Sequence, residues 1–421
     1  MILKGVFAMR LKLWLAVVAF LTAGHLPMVW AQNVEVTAIV RDAESRRKLD
    51  GALVSVLGTN IATVSNKDGR FTIKVPDSLC EGSLHIQNLG YRGKRVAIAD
   101  LSSGKKISTV MLEPLSRVLD PVVILGVEPR ELIEVALEKI PDNYADKRNM
   151  FSSFYRETIQ KGRRYVGVSE AMMDVMKTPY LFREVAGDRV RIKKGRKLVS
   201  QKASDTLAVK ILGGPRIPVY LDFVKNGDFL FNKSELNYYD FEMKATEFVD
   251  NRPQYVVEFK PKVKLDYPLF IGKVLIDRET LSFTRAEFSM DMSDKDKATR
   301  ALLYKKPPGL RFKPEGVDFV IDYREQDGKS FLNYIRTETR FKCDWKRRLF
   351  ASGFTTVSEM VMVDRDDSSE GSIPKKESFG ERQVFYDVVE DFDDEDFWND
   401  YNIIAPTESL EKAVRKLKKS R

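Results

Sequence analysis

Between residues 33 and 113 the chain alternates apolar and polar positions with a period of two. Val34, Val36, Ala38 and Val40 fall on one side of an extended segment, Ala52, Val54 and Val56 repeat the pattern, and Phe71, Ile73 and Val75 repeat it again. Such alternation puts one face of a strand in a core and the other in solvent. Short strands are also predicted at 84–86, 96–98 and 110–112. Asn66-Lys67-Asp68-Gly69 has the composition of a tight hairpin turn, the glycine being free to take a positive φ. The expectation for residues 32–114 is a seven-stranded antiparallel β-sandwich.

The pattern then changes. Leu119-Asp120-Pro121-Val122-Val123-Ile124 reads as a linker strand within 115–128. Leu132, Ile133, Ala136, Leu137 and Ile140 follow helical spacing, and Pro141 stops that helix. Longer alternating runs follow. Phe154-Tyr155-Arg156-Glu157-Thr158 and Tyr165-Val166-Gly167-Val168 flank Lys161-Gly162, and Phe319-Val320-Ile321-Asp322-Tyr323 and Leu332-Asn333-Tyr334-Ile335 flank Asp327-Gly328, both hairpin patterns. Tyr255-Val256-Val257-Glu258-Phe259 and the run 272–288, turning at Asp277-Arg278-Glu279-Thr280, add further strands. Residues 129–404 are expected to form a large curved antiparallel sheet, a half-barrel with a few helices backing one face. The fold class is therefore mainly β. A basic amphipathic helix closes the chain over 405–421, with Leu410, Ala413, Val414 and Leu417 as its apolar stripe; packing on its own domain is the simpler reading than lying on a membrane.

Val40-Arg41-Asp42, Leu49-Asp50-Gly51-Ala52-Leu53-Val54-Ser55-Val56, Ser65-Asn66-Lys67-Asp68-Gly69-Arg70-Phe71 and Leu89-Gly90-Tyr91 occur in the order seen in the carboxypeptidase regulatory-like domain. The segment resembles that transthyretin-type sandwich of Gram-negative envelope proteins, with Ser65-Asn66 where the family usually has Thr-Asp. The resemblance implies an accessory module without catalysis. The acidic-then-valine strand at 119–124 is similar to one that follows this module in TonB-dependent transporters, but the remaining chain is too short for a plug and barrel. Residues 150–360 resemble in architecture the half-barrel of LolA/LolB-type lipoprotein carriers. The whole arrangement, including 397–404, also looks like a group of two-domain envelope proteins.

The N-terminus supports the same compartment. Lys4, Arg10 and Lys12 precede an apolar run from 13 to 21, no acidic residue occurs before Glu35, and Val29-Trp30-Ala31 offers small residues for cleavage between Ala31 and Gln32. Residues 1–31 read as a secretory signal peptide, since nine apolar residues fall short of the roughly 20 that span a bilayer. The expected location is the periplasm or the outer membrane.

Composition adds little beyond excluding classes. The net charge of +9 includes three from the signal, leaving a mild excess too dispersed to argue for nucleic acid. Residues 183–202 hold eight basic and two acidic residues, with Gly187 and Gly195 as turn markers. An exposed hairpin is the simpler reading, and peripheral contact with an anionic outer-membrane surface the functional one. Residues 387–400 hold eight carboxylates and no base. Asp391, Asp393 and Asp396, like Asp364, Asp366 and Glu370, lack EF-hand spacing, so a solvated loop is preferred to a calcium site. Cys80 and Cys343 read as separate thiols, with a bridge left open.

Beyond the signal the chain has one histidine, His85, on a predicted strand. A structural histidine is the simpler reading, because a triad also needs an exposed nucleophile beside it. Zinc sites built from several His and Cys lack ligands, and no GxSxG, P-loop or dinucleotide fingerprint occurs. No catalytic, cofactor or metal residue is assigned, and binding residues are unknown. The reading is a non-enzymatic envelope protein in a binding or scaffold role, holding an apolar or lipid ligand or a partner segment in its curved sheet. The alternatives are an adaptor of an outer-membrane transport or secretion assembly, and a carboxylate-based hydrolase. A deep apolar cavity would favour the carrier, a filled core with an exposed apolar patch the adaptor, and a polar cleft with facing carboxylates the enzyme.

Overall fold

The period-two segments at the front of the chain fold as β1 (Asn33–Asp42), β2 (Leu53–Val56), β3 (Ala62–Val64), β4 (Arg70–Pro76), β5 (Ser83–Gln87), β6 (Lys94–Ala97) and β7 (Ser108–Leu112). They form two sheets, ordered β4-β1-β7 and β3-β2-β5-β6. The predicted inward positions Val36, Ala38, Val54, Phe71, Ile73, Leu84 and Ile86 are fully buried between them. This computed structural model describes residues 33–102, 107–115, 128–202, 205, 207, 209–211, 213–346, 351–366, 371–380, 383–393 and 401–419. The signal segment with Ala31 and Gln32, the linker strand at 119–124, Glu370 and residues 394–400 lie outside them.

Two local expectations are corrected. β1 pairs with β7 in parallel, Ala38 facing Ser108 and Asp42 facing Leu112, so the sandwich is not wholly antiparallel. β7 enters after the short helix Ile98–Ser102, and with no hairpin joining the pair, nothing local forces opposite directions. The 66–69 turn is not a hairpin either, because β3 and β4 belong to different sheets. It is an arch in which Asn66 Oδ1 accepts the N–H groups of Asp68 and Arg70 at 2.8 and 3.0 Å. Gly69 is required there: at φ +69° a Cβ would stand 2.5 Å from the Val40 carbonyl oxygen.

The remaining long strands are β8 (Asn149–Lys161), β9 (Arg164–Lys177), β10 (Arg189–Val199), β12 (Tyr239–Val249), β13 (Arg252–Pro261), β14 (Phe270–Asp277), β15 (Phe283–Met290), β17 (Leu310–Gln326), β18 (Lys329–Trp345) and β19 (Ser352–Asp366). They form one unclosed ten-stranded antiparallel sheet ordered β10-β9-β8-β19-β18-β17-β15-β14-β13-β12, and β11 (Lys210–Ile211) and β16 (Leu303–Lys305) pair separately.

The register explains the two faces of this sheet. One row crosses all ten strands as Gly195, Ala171, Tyr155, Met360, Ile335, Ile321, Ala286, Val274, Val257 and Met243. The row beside it reads Arg196, Glu170, Arg156, Glu359, Arg336, Val320, Glu287, Lys273, Glu258 and Glu242. Each strand contributes neighbouring residues to the two rows, and neighbours point to opposite faces. One face is therefore apolar, and the other carries charges that alternate in sign over most of the row, as favourable cross-strand pairs do.

The apolar face is covered by the chain itself. The helix Pro129–Glu138 buries Leu132, Ile133, Ala136 and Leu137 against it. That helix ends before Pro141, which instead opens a second short helix, Ile140–Asn143. Residues 214–238 lay Phe223, Phe229 and Phe231 onto the sheet, where they meet Phe259, Phe270, Phe283, Phe288 and Phe319 with ring centroids 5.2–6.4 Å apart. The concave face is thus lined by large apolar residues, but it is filled.

Candidate functional site: cavities between the sandwich and the large sheet

The sandwich sits on the charged face. Val64 and Leu53 pack with Phe154, Met172, Tyr334, Val361, Val363 and Ile404 in an apolar island of their own. Hydrogen bonds fix the placement. Asn60 Nδ2 donates to the Arg365 carbonyl at 2.7 Å, and Arg324 Nη2 donates to the Asn60 carbonyl at 3.1 Å. The segment 401–405 runs between the units as a strap: Thr63 Oγ1 donates to Ile403 O, Asn66 Nδ2 to Ala405 O, and Arg156 Nη2 to Ile404 O, at 2.7–3.1 Å.

A third contact brings in the histidine. His85 on β5 meets the β12–β13 turn, whose Asp250 and Asn251 take positive φ values of 49° and 64°. Its Nε2 lies 2.7 Å from Asp250 Oδ1, and Gly90 N donates to Phe248 O at 2.9 Å. With its NH2 turned toward the carboxylate, Gln87 donates to Asp250 Oδ2 at 3.1 Å. The approach is close enough that a Cβ on Gly93 would stand 2.5 Å from Asp250 Oδ1. The hydrogen bond with Asp250 raises the His85 pKa above its usual 6.5, with burial opposing it. Ser55 faces His85 across β2 and β5, yet no hydrogen bond joins them.

Around this contact lies a cavity of about 200 Å³ lined by Ser55, His85, Gln87, Asp250, Arg252 and Glu325, and a smaller one of about 40 Å³ adjoins it. Next to these, Arg285 Nη1 spans both oxygens of Asp322 at 2.7 and 2.8 Å. A further cavity of about 170 Å³ opens beneath the 66–67 arch and the strap. Sequence reasoning singled out His85 alone among these groups. Asp250 and Arg252 carry no local motif, and only the docking of two units brings them beside His85.

The concave side holds a buried charge centre whose Lys177, Asp188 and Asp222 line none of these cavities. Lys177 Nζ stands 2.7 Å from Asp222 Oδ2 and 3.2 Å from Asp188 Oδ2, all three side chains being essentially inaccessible. Tyr180 and Tyr323 donate to the two Asp222 oxygens at 2.8 and 2.7 Å. Burial works to lower the Lys177 pKa, but Asp222 and Asp188 outweigh it and hold it above the ordinary lysine range. The neighbouring Lys225 ammonium donates to Pro179 O, and Arg183 donates to the carbonyls of Phe223, Val224 and Phe231.

The basic segment 183–202 is an edge strand and its lead-in rather than an exposed hairpin. Arg191 and Lys193 pair with Asp174, Arg196 with Glu170, and Lys197 with Glu390, so these charges are satisfied within the chain. Gly195 marks a close approach and not a turn, since a Cβ there would stand 2.5 Å from Val389 Cγ2. Asp364 and Asp366 lie on β19, Asp393 bridges to Gly195, and Asp396 is outside the described residues. Among the described residues no three His, Cys, Asp or Glu side chains gather to hold a metal ion. Cys80 and Cys343 are both unbridged thiols, and burial pushes Cys343 up to about 11. The terminal helix Glu408–Lys419 buries Leu410 and Leu417 against Val168 and Leu198 of the sheet. No helix among the described residues is long and apolar enough to cross a membrane.

No family model matches the chain, and no curated protein matches it. Among solved structures, a DUF1329 family protein from Desulfovibrio piger aligns over 58% of this chain and 96% of its own at 12% identity, with a TM-score of 0.24. A LolA superfamily protein from Nitrosomonas europaea aligns over 59% and 97% at 10% identity, with a TM-score of 0.19. Lipovitellin, from a structure concerned with lipid–protein interactions, aligns over 54% of this chain and 26% of its own at 6% identity, with a TM-score of 0.24.

Proposed function

We propose that this chain is an exported, non-enzymatic binding or scaffold protein of the cell envelope that works by presenting folded surfaces to a partner protein. The observation that carries the reading is the occupied concave face. A carrier of the LolA/LolB type needs an apolar chamber, and here Phe223, Phe229 and Phe231 fill the space a lipid would take. Holding an apolar ligand in the curved sheet would require residues 214–238 to leave it.

An exposed apolar patch supports the adaptor form of the proposal. Leu181, Phe182 and Tyr220 are 55, 70 and 49% exposed. They stand on two segments tied together by Arg183, which donates to Val224 O, and by Gly227 N, which donates to Arg183 O at 3.1 Å. Two adjacent large apolar side chains held out on a braced turn cost solvation energy that a contact surface would recover. Under the same proposal the sandwich is a carboxypeptidase regulatory-like accessory module. Its Asp42 and Tyr91 motifs meet through a hydrogen bond of 2.9 Å, and export proceeds by cleavage between Ala31 and Gln32.

Photo-crosslinkers placed at Phe182 and at Phe229 in intact envelopes test it. A discrete protein adduct from position 182, with no lipid adduct from 229, is the expected result. Stoichiometric lipid on the purified protein, or lipid adducts at 229, would overturn the proposal in favour of a carrier.

A further inference from the structure

The cavity of about 170 Å³ beneath the arch and the strap belongs to neither the concave face nor the apolar patch. Its floor is built on three central strands in register. Arg156, Glu359 and Arg336 lie side by side on β8, β19 and β18; Thr158, Val357 and Glu338 form the next row. Residues on paired strands are the most precisely held part of a fold. Lys67 from the arch closes one side, and Tyr165 and the strap close the other.

The charges of the floor are already matched. Arg336 Nη2 meets Glu338 Oε2 at 2.5 Å and its Nε lies 3.8 Å from Glu359 Oε1. Arg156 Nε lies 2.6 Å from Glu170 Oε1, and Lys67 Nζ lies 3.6 Å from Glu338. With three cations and two carboxylates in the lining, each within reach of an opposite charge, the chamber has no wall of a single sign. It offers instead closely spaced acceptors on Glu338 and Glu359, donors on the guanidinium groups, hydroxyls and amides on Thr158, Gln160 and Thr355, and the ring of Tyr165. Arg336 Nε is buried without a hydrogen-bond partner, the kind of donor that calls for a ligand or water oxygen. A cavity of ~150 Å³ admits one six-membered ring.

We propose that this chamber binds a single neutral sugar ring, with Glu338 and Glu359 accepting from its hydroxyls and Arg336 donating to them. The site is independent of the apolar patch and does not rest on the partner surface argued above. Titration calorimetry on the full chain tests it with glucose, galactose, mannose and N-acetylglucosamine, and with inorganic phosphate and acetate as ionic controls. One of the sugars should saturate at a dissociation constant of ~1 mM, and Glu359→Gln should weaken it by ~10-fold, the loss of one charge-assisted hydrogen bond. Gln160→Leu, a milder change at the cavity wall, guards against a folding defect and should weaken the same sugar ~3-fold or more. Absence of saturation by every sugar, tighter binding of phosphate or acetate than of any sugar, or sugar binding untouched by both substitutions would each overturn the assignment.

Discussion

His85 Nε2 stands 2.7 Å from Asp250 Oδ1, joining β5 of the sandwich to a turn of the large sheet across 165 positions of sequence. The pair makes the interface pH-sensitive. Because the folded pKa is raised, the protonated imidazole contributes stability that is fully present below the unfolded value near 6.5 and is lost as pH rises through the folded value. With Asp250 40% exposed, solvent limits the contribution to about 1 kcal/mol or less. Melting temperatures across pH 5.5 to 8.5 should fall more in the wild type than in His85→Gln. Parallel curves for the two proteins would show that the contact does not titrate.

The buried centre on the concave side responds in a different way. Asp222→Asn leaves Lys177 with Asp188 alone and weakens the acceptor of both tyrosine hydroxyls. Breaking a buried pair by removing one partner costs about 3–5 kcal/mol, whereas replacing the whole pair by apolar groups costs far less. In urea denaturation Asp222→Asn should therefore be the least stable protein, and the triple variant Lys177→Met with Asp188→Asn and Asp222→Asn, which strands none of the three charges, should recover part of the loss. Greater damage from the triple variant would mean that the charges themselves specify the fold of residues 177–225.

Much of this architecture was legible in local pattern, and the reasons separate cleanly. Alternation at Phe154-Tyr155-Arg156 or Phe319-Val320-Ile321 marks a strand with two unlike faces, and Asp327-Gly328 marks the β17–β18 hairpin because both residues take positive φ. The row of charges across the ten strands is written in the same alternation, yet it emerges only when β19 returns to pair with β8, a register no neighbouring residue dictates. Lys177, Asp188 and Asp222 look like solvated charges in sequence and are buried because three segments converge on them. Residues 214–238 have aromatic spacing with no single period, so their filling of the concave face could not be read in advance.

That filling sets a third expectation. Phe231 is fully buried against Phe223, Tyr239, Phe259 and Phe283. Phe231→Ala should cost about 3–5 kcal/mol and leave an apolar void. Benzene, which occupies such voids, should then raise the melting temperature of the variant and leave the wild type unchanged. A comparable rise in the wild type would reveal an apolar chamber already present.

The strap gives the last and most local test of how the two units are held. Asn402 accepts from Lys74 N at 2.6 Å and donates to Lys74 O at 3.3 Å, continuing the edge of β4, while Ile404 is buried among Val64, Phe154 and Tyr334. Asn402→Ala removes both hydrogen bonds and should cost about 1–2 kcal/mol. Ile404→Ala should cost about 2–4 kcal/mol through lost packing. The sandwich has its own core around Val36, Phe71 and Ile86, so loss of the strap should loosen the docking and leave that core intact. Hydrogen exchange should accordingly rise at β3, at β4 and at Gly90, whose N–H is bonded across the interface, while β13 and β14 keep their protection. Equal loss of protection across both units would mean that they fold as one cooperative body and that the strap is only one contact among many.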